Sequence, residues 1–186
     1  MLKIAIDPGH GYGNLNTKTY DPGAVSGGTS EAEIVLQWAL TGKWVLTQAG
    51  IPVWLSRDDD RDVAPVALRD DMATNAGCTH FVSLHCNAGP ILATGTETFY
   101  RDDNDKPLAD IAQYSALQAL GLRNRGVKNE GASQHPRLAI LDFDGPACLL
   151  ELGFITNPGD RSRLKDRERR VAFWREFVRA FRAQYA

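Results

Sequence analysis

Cysteine is scarce in this chain. Cys78, Cys86 and Cys148 are an odd set of three with no C-x-x-C pair, which excludes a disulfide framework. Two of them fall in or at the end of apolar runs, where a small reduced thiol packs well. Long hydrophobic runs are also missing: no stretch approaches the ~18 apolar residues of a membrane span. Neither sign of charge dominates. A formal net charge of −2 over 186 residues leaves no whole-chain electrostatic footprint for nucleic acid. Linkers, internal repeats and low-complexity segments are absent. What remains is ordinary: 43% hydrophobic and 24% charged residues, in a length that suits one domain, residues 1–186, with a full core. The chain opens Met-Leu-Lys and enters an apolar run at once, with no leader-like n-region and h-region before it. The expectation is a protein made in the cytoplasm, reaching any external substrate only after release by another route.

Three segments share one grammar. Ile4-Ala5-Ile6-Asp7-Pro8-Gly9-His10 is an apolar run stopped by a turn, with a histidine just beyond it. Phe81-Val82-Ser83-Leu84-His85 is a second run ending in histidine, and Ala147-Cys148-Leu149-Leu150-Glu151 a third ending in a carboxylate. Each reads as a short buried strand. In α/β sheets, chemistry gathers outside the carboxyl ends of parallel strands. Adjacent parallel strands would bring His10, His85 and Glu151 to one edge, a pattern that points to zinc with a general base.

Between these strands the helix signals are clear. Ser30 with Glu33 three residues on is a capping-box pair, opening a helix from about Glu31 to Ala49 that Gly50 ends. Glu31 and Glu33 both stand in its first turn and either can face the cleft. Ile51–Leu55 reads as a strand, Pro65–Ala76 as a helix, and Thr94–Tyr100, which alternates, as an edge or antiparallel strand. Pro107 opens a helix to about Leu120. Residues 121–136 read as polar loop, Leu138–Leu141 as a short strand, and the stretch after Asn157-Pro158 as helical to near the end. Strands alternating with helices imply an α/β sandwich around a mostly parallel sheet.

A carboxylate ending a run as apolar as Ala-Cys-Leu-Leu needs a partner or a task, because burying it unpaired is costly. His80 and His85, five apart, fall on opposite strand faces, about 16 Å apart at ~3.3 Å per residue. His135 lies in a polar loop, a weaker candidate for lining a cleft. Gly9, Gly11 and Gly13 are spaced G-x-G-x-G, which lacks the pattern of a nucleotide loop. Between Arg161 and Arg182 nine Lys/Arg face three Asp/Glu. That basic face is a candidate for docking on an anionic envelope surface; its stripe of Val171, Trp174, Phe177, Val178 and Phe181 reads first as a core face.

These segments carry a family resemblance. IAIDPGHG (4–11), DPGAV (21–25), the glutamate opening a helix in SEAEIVLQWA (30–39), FVSLHCNA (81–88) and LLELGFITNPGD (149–160) resemble, in order, the zinc-dependent N-acetylmuramoyl-L-alanine amidases of the Amidase_3 type, which include bacterial wall hydrolases and phage endolysins. The resemblance spans nearly the whole chain. It implies a single-domain α/β fold, a twisted, mostly parallel sheet of about six strands flanked by helices. It implies one Zn²⁺ held by His10, Glu31 and His85, with Glu33 as the alternative in another register, and Glu151 as the catalytic carboxylate. Asn87, two residues beyond His85, is a candidate donor to the substrate carbonyl or peptide stem. The implied substrate is the amide between N-acetylmuramic acid and L-alanine in peptidoglycan, and the implied setting a monomeric endolysin. Two departures stand out: the helix-opening motif runs Glu-Ala-Glu rather than Glu-Lys, and neither wall-binding repeats nor an autoinhibitory helical insert are evident. The competing expectations are a non-catalytic peptidoglycan-binding module and a zinc peptidase on the same fold.

Overall fold

The computed structural model describes residues 2–13, 19–135 and 137–185. Six strands form the central sheet: β1 (Ile4–Pro8), β2 (Val53–Leu55), β3 (His80–Asn87), β4 (Thr96–Tyr100), β5 (Asn124–Asn129) and β6 (Ala147–Phe154). Their order is β2-β1-β3-β6-β4-β5. The pairs β1–β2, β1–β3 and β3–β6 are parallel, β6–β4 is antiparallel, and β4–β5 is parallel. The expected sheet, six strands and mostly parallel, is the one found. The three strands named from their apolar runs are neighbours at its centre, fully buried along most of their length.

Alternation splits the core into two layers. Ile4, Ile6, Val82, Leu84, Cys148 and Leu150 face the larger one. It is covered by α1 (Glu31–Gln48), α3 (Lys106–Leu120) and α5 (Arg167–Tyr185). Ala5, Phe81, Ala147, Leu149 and Phe99 face the smaller one, closed by Ala73 of α2 (Arg69–Asn75) and by Leu138, Ile140 and Leu141. The basic C-terminal helix uses its aromatic stripe as core: Phe173, Trp174, Phe177 and Phe181 are fully buried, and the Trp174 indole donates to the Trp38 carbonyl at 2.8 Å.

Four expectations are corrected. Residues 121–136 are not all loop, because β5 lies within them; Asn-Arg-Gly-Val-Lys-Asn is a polar, glycine-interrupted edge strand that shows no apolar alternation. β4 is antiparallel as expected, but β5 covers its open side. Leu138–Leu141 is a 3-10 turn over Ala139–Asp142 rather than a strand; its apolar side chains plug the smaller core without pairing. The helix expected from Pro65 starts as a 3-10 turn, Val66–Leu68, and becomes α-helical only at Arg69. The segment after Asn157 is two helices, α4 (Pro158–Lys165) and α5, broken at Asp166. Between β1 and α1, residues 14–18 lie outside the described residues. The remainder forms two short antiparallel pairs, Gly11–Tyr12 with Tyr20–Asp21 and Val25–Ser26 with Thr29–Ser30.

Candidate metal centre and catalytic carboxylate

The site is built where β1 ends. Asp7 is fully buried, which alone would raise its pKa. Arg69 at 2.9 Å and the hydroxyls of Ser56 and Ser83, at 2.5 and 2.7 Å, reverse this and hold it ionised below its ordinary range. Asp7 thereby locks β1 to β3 and to the chain after β2. Two buried arginines then clamp the turn that follows. Arg57 donates to the carbonyls of Pro8 (3.1 Å), Gly9 (3.0 Å) and Ala32 (2.8 Å). Arg69 donates to the His10 carbonyl at 2.7 Å. Between these clamps His10 takes φ +65°, the left-handed conformation that a side chain with a Cβ disfavours. The consequence is an imidazole turned back over the sheet edge.

Three ligand-type side chains meet there. His10 Nε2 lies 2.9 Å and His85 Nδ1 3.0 Å from the same oxygen, Oε1 of Glu31. The two imidazoles stand edge to face, with centroids 4.9 Å apart. Among the described residues, His10, Glu31 and His85 are the group whose ligand atoms all fall within 4.8 Å of one another. Glu31 rather than Glu33 reaches the site. The Ser30 hydroxyl caps α1 by accepting from the Glu33 N–H at 3.2 Å, while the Glu33 carboxylate turns away to accept from Thr29 at 2.8 Å. Glu31 is buried and aimed by the N–H groups of Ala24 (3.1 Å) and Cys86 (2.9 Å). Burial pushes its pKa up, but its bonds with the two imidazoles outweigh this and hold it far below the usual carboxylate range. Burial pulls His10 down, yet Glu31 and Asp21 carry it up to about 9.

Asp21, which the sequence marks only as part of a turn, stands behind His10. Its Oδ2 lies 2.8 Å from His10 Nδ1, and its Oδ1 accepts from the Gly23 N–H at 2.8 Å. A carboxylate behind a histidine fixes the ring's orientation and tautomer and raises its basicity as a ligand. With Nδ1 held by Asp21, Nε2 is the nitrogen that faces Glu31 and the ligand cluster, where it donates to the carboxylate at 2.9 Å. The spacing Asp-Pro-Gly, with a glycine at φ +62°, is the signal that a tight Asx-type turn places this carboxylate. Two imidazoles and one carboxylate, oriented from behind, match the donor set of a zinc ion with one position left for exchange.

Glu151 stands in register with His85 on one side and with Glu97 on the other. Its Oε2 is buried with no hydrogen-bond partner. Burial, with the charges of Glu31 and Glu97, pushes its pKa up to about 7 against the opposing pull of His85. An orphaned carboxylate beside a ligand cluster is the arrangement a proton shuttle requires. Asn87 lies at the end of β3, where its amide donates to Glu97 at 2.7 Å. The NPGD segment locks the loop after β6: Asn157 caps α4, and buried Asp160 accepts from Thr94 (2.7 Å), Gly95 (3.1 Å) and Phe154 (3.0 Å). His80 is elsewhere, buried against Phe181 and Tyr185. His135 is exposed and outside the ligand group.

A three-layer α/β domain with two imidazoles and two carboxylates at the carboxyl edge of parallel strands defines a hydrolase-type site. The chain belongs to the N-acetylmuramoyl-L-alanine amidase family Amidase_3, whose sequence profile matches residues 4–182. It is 34% identical over 170 residues to a sporulation-specific N-acetylmuramoyl-L-alanine amidase of Bacillus subtilis, covering 89% of this chain and 61% of that protein. It thus spans about three fifths of the relative's length. The catalytic domain of CwlV, an amidase of Bacillus (Paenibacillus) polymyxa, superposes with a TM-score of 0.83 at 28% identity, covering 98% of this chain and 97% of that one. An N-acetylmuramoyl-L-alanine amidase of Nostoc punctiforme superposes with a TM-score of 0.82 at 28% identity, covering 98% and 96%.

Proposed function

We propose that this chain hydrolyses the amide between the lactyl group of N-acetylmuramic acid and L-alanine in peptidoglycan. His10, Glu31 and His85 would hold one zinc ion, with Glu151 as general base and acid. The observation that supports this most directly is the unpartnered buried oxygen of Glu151 in register with His85. Zinc at such a site supplies Lewis acidity, polarising a carbonyl and acidifying water toward neutral pH. The remaining chemistry belongs to the chain. Glu151 accepts a proton from the attacking water as its oxygen adds to the amide carbon. The C–N bond then breaks, and Glu151 returns the proton to the leaving nitrogen. The products are a lactyl carboxylate and a peptide with a free amino group on L-alanine. Asp21 keeps His10 in place throughout, and Asn87, tied to Glu97 by one N–H, offers its remaining amide atoms to the substrate.

We extend the proposal to the setting expected from the sequence, an endolysin acting on the wall after a membrane lesion. Cytosolic expression should then lyse host cells only once the inner membrane is permeabilised; intact sacculi after permeabilisation refute it. The chemistry itself is tested by mass spectrometry of purified sacculi treated with zinc-loaded protein, EDTA-treated protein and zinc-loaded Glu151→Gln. Peptide stems beginning with L-alanine should appear with the first and vanish with the second. The third should retain zinc and lose about 10²–10⁴ in rate, the usual contribution of a positioned acid–base group. Cleavage inside the stem would favour a zinc peptidase, and binding without any cleavage a silent wall-binding module.

A further inference from the structure

The edge strand β5 carries a feature that the hydrolytic chemistry does not use. Thr96 of β4 pairs with Asn124, but the next residue, Glu97, pairs with Gly126. Arg125 is therefore the extra residue of a β-bulge, and Gly126 supplies the φ of +96° that the bulge demands. The bulge is pinned from behind. Asn124 Oδ1 accepts from the Gly126 N–H and from the Gln113 amide, both at 2.8 Å, and Gln113 also donates to the Thr96 carbonyl at 3.0 Å. Bulges of this kind re-aim side chains beside active sites. Here Arg125 is laid over the Phe154 ring, its guanidinium carbon 5.0 Å from the centroid. Its stem runs over Gly95, where even a Cβ would come within 2.9 Å of it. Arg125 Nε is buried, 3.3 Å from Glu97 Oε2. Lys128 also pairs with Glu97. Two cations thus share the Glu97 carboxylate, which stands in register with Glu151. Both cationic side chains remain about one-third exposed.

We propose that Arg125, with Lys128 beside it, is a subsite for a carboxylate on the peptide stem, that of the residue following L-alanine. This rests on the amidase reading above. A planar guanidinium clamped on an aromatic face is the group best suited to bind a carboxylate through two N–H bonds, and Glu97 sets its orientation. Arg125 acts on specificity and positions the stem while Glu151 works on the amide.

The test uses two soluble muropeptides that differ only at that residue, one with a free carboxylate and one with the carboxamide. Zinc-loaded wild type should favour the carboxylate about tenfold in kcat/KM, chiefly through KM, as a charge-assisted pair implies. In Arg125→Gln the ratio should fall to near one, with Arg125→Lys between. No preference in the wild type, or an equal loss on both substrates in the variant, overturns the proposal. If the wild type cleaves neither substrate, the amidase reading has failed, and calorimetry with the two free stem peptides decides the subsite alone. Tighter binding of the carboxylate peptide, lost in Arg125→Gln, upholds it; equal binding overturns it.

Discussion

Replacing Arg57 with Met tests whether the left-handed His10 is imposed from outside. Arg57 is 1% exposed and gives its N–H groups to the Pro8, Gly9 and Ala32 carbonyls. Its pair with Asp60, at 3.4 Å, is half in solvent and contributes little. The Pro8 oxygen keeps Arg69 at 3.4 Å and the Ala32 oxygen keeps its own helix, so Gly9 is the carbonyl left bare. An orphaned buried carbonyl costs about 1–3 kcal/mol, and each bond from a charged donor is worth about 1.5–3 kcal/mol. Burial lowers the Arg57 pKa, a sign that desolvation of the cation offsets part of this gain. The net expectation is a loss of ~3 kcal/mol in urea unfolding. With the Gly9 carbonyl released and Arg69 alone still on the His10 carbonyl, His10 can relax toward leaving the αL region, which costs an L-residue about 1–2 kcal/mol. Relaxation of that size lowers zinc affinity about tenfold, read by competition with a chromogenic chelator. Arg57→Lys, which keeps the charge and loses the fork, should recover part of the stability and little of the affinity. Unchanged zinc affinity in a destabilised Arg57→Met would refute the argument that the clamp shapes the site.

Three further outcomes follow from the packing. A Cβ on Gly42, in the middle of α1, would meet Trp174 at 2.5 Å and Ile6 at 2.8 Å; Gly42→Ala should therefore lose ~1–3 kcal/mol by overpacking, whereas a gain of ~1 kcal/mol would mean that helix propensity alone decides. Burial pulls His80 down to about 4, so the unfolded chain takes up that proton first, and the contribution is present above pH 6.5 and lost as pH falls toward 4. Discounted for screening, the loss is ~1–2 kcal/mol, and the difference between wild-type and His80→Phe urea curves from pH 7 to 4.5 should isolate it; parallel curves would contradict it. Truncation after Lys165 removes four fully buried aromatics worth ~1.5–3 kcal/mol each, comparable to the whole stability of a domain; circular dichroism should show unfolding, and a folded remnant would reopen the case for α5 as a docking element.

The sheet centre was legible because β1, β3 and β6 are apolar on both faces, and a chain cannot hide such runs except between layers. His10, His85 and Glu151 were legible for the same reason: each polar residue ends a run that has no other use for it. Glu31 was legible only as one of two candidates, since helix phase does not say which first-turn carboxylate the preceding hairpin covers. Ala24 N–H and Cys86 N–H make that choice. What sequence hid was the layer behind. Asp21, Arg57, Arg69 and Glu97 act through partners 10 to 62 residues away, and no local period marks such pairings. β5 was hidden because its bulge and glycine erase the alternation by which strands are read.

Charge counting misleads at the C-terminus for a similar reason. The nine basic residues between Arg161 and Arg182 read as a docking face, yet much of that charge is engaged inside the fold. Arg163 donates to the Leu120 and Gly121 carbonyls at 2.6 and 2.8 Å, and Arg169 to Ala119 at 2.8 Å, so both close the C-terminus of α3. Arg182 reaches the Ala49 carbonyl at the end of α1. Arg161 ties Ile155, just past β6, to Ser26 of the hairpin that covers Glu31. Cations at helix C-termini satisfy bare carbonyls and the negative end of the dipole. An envelope-docking role would therefore fall to the exposed cations Lys165, Arg167, Arg175, Arg179 and Arg182, of which Arg179 is already paired with Glu176 and Arg182 with the Ala49 carbonyl, and its attraction would weaken with salt, since charges about 8 Å apart are screened at physiological ionic strength.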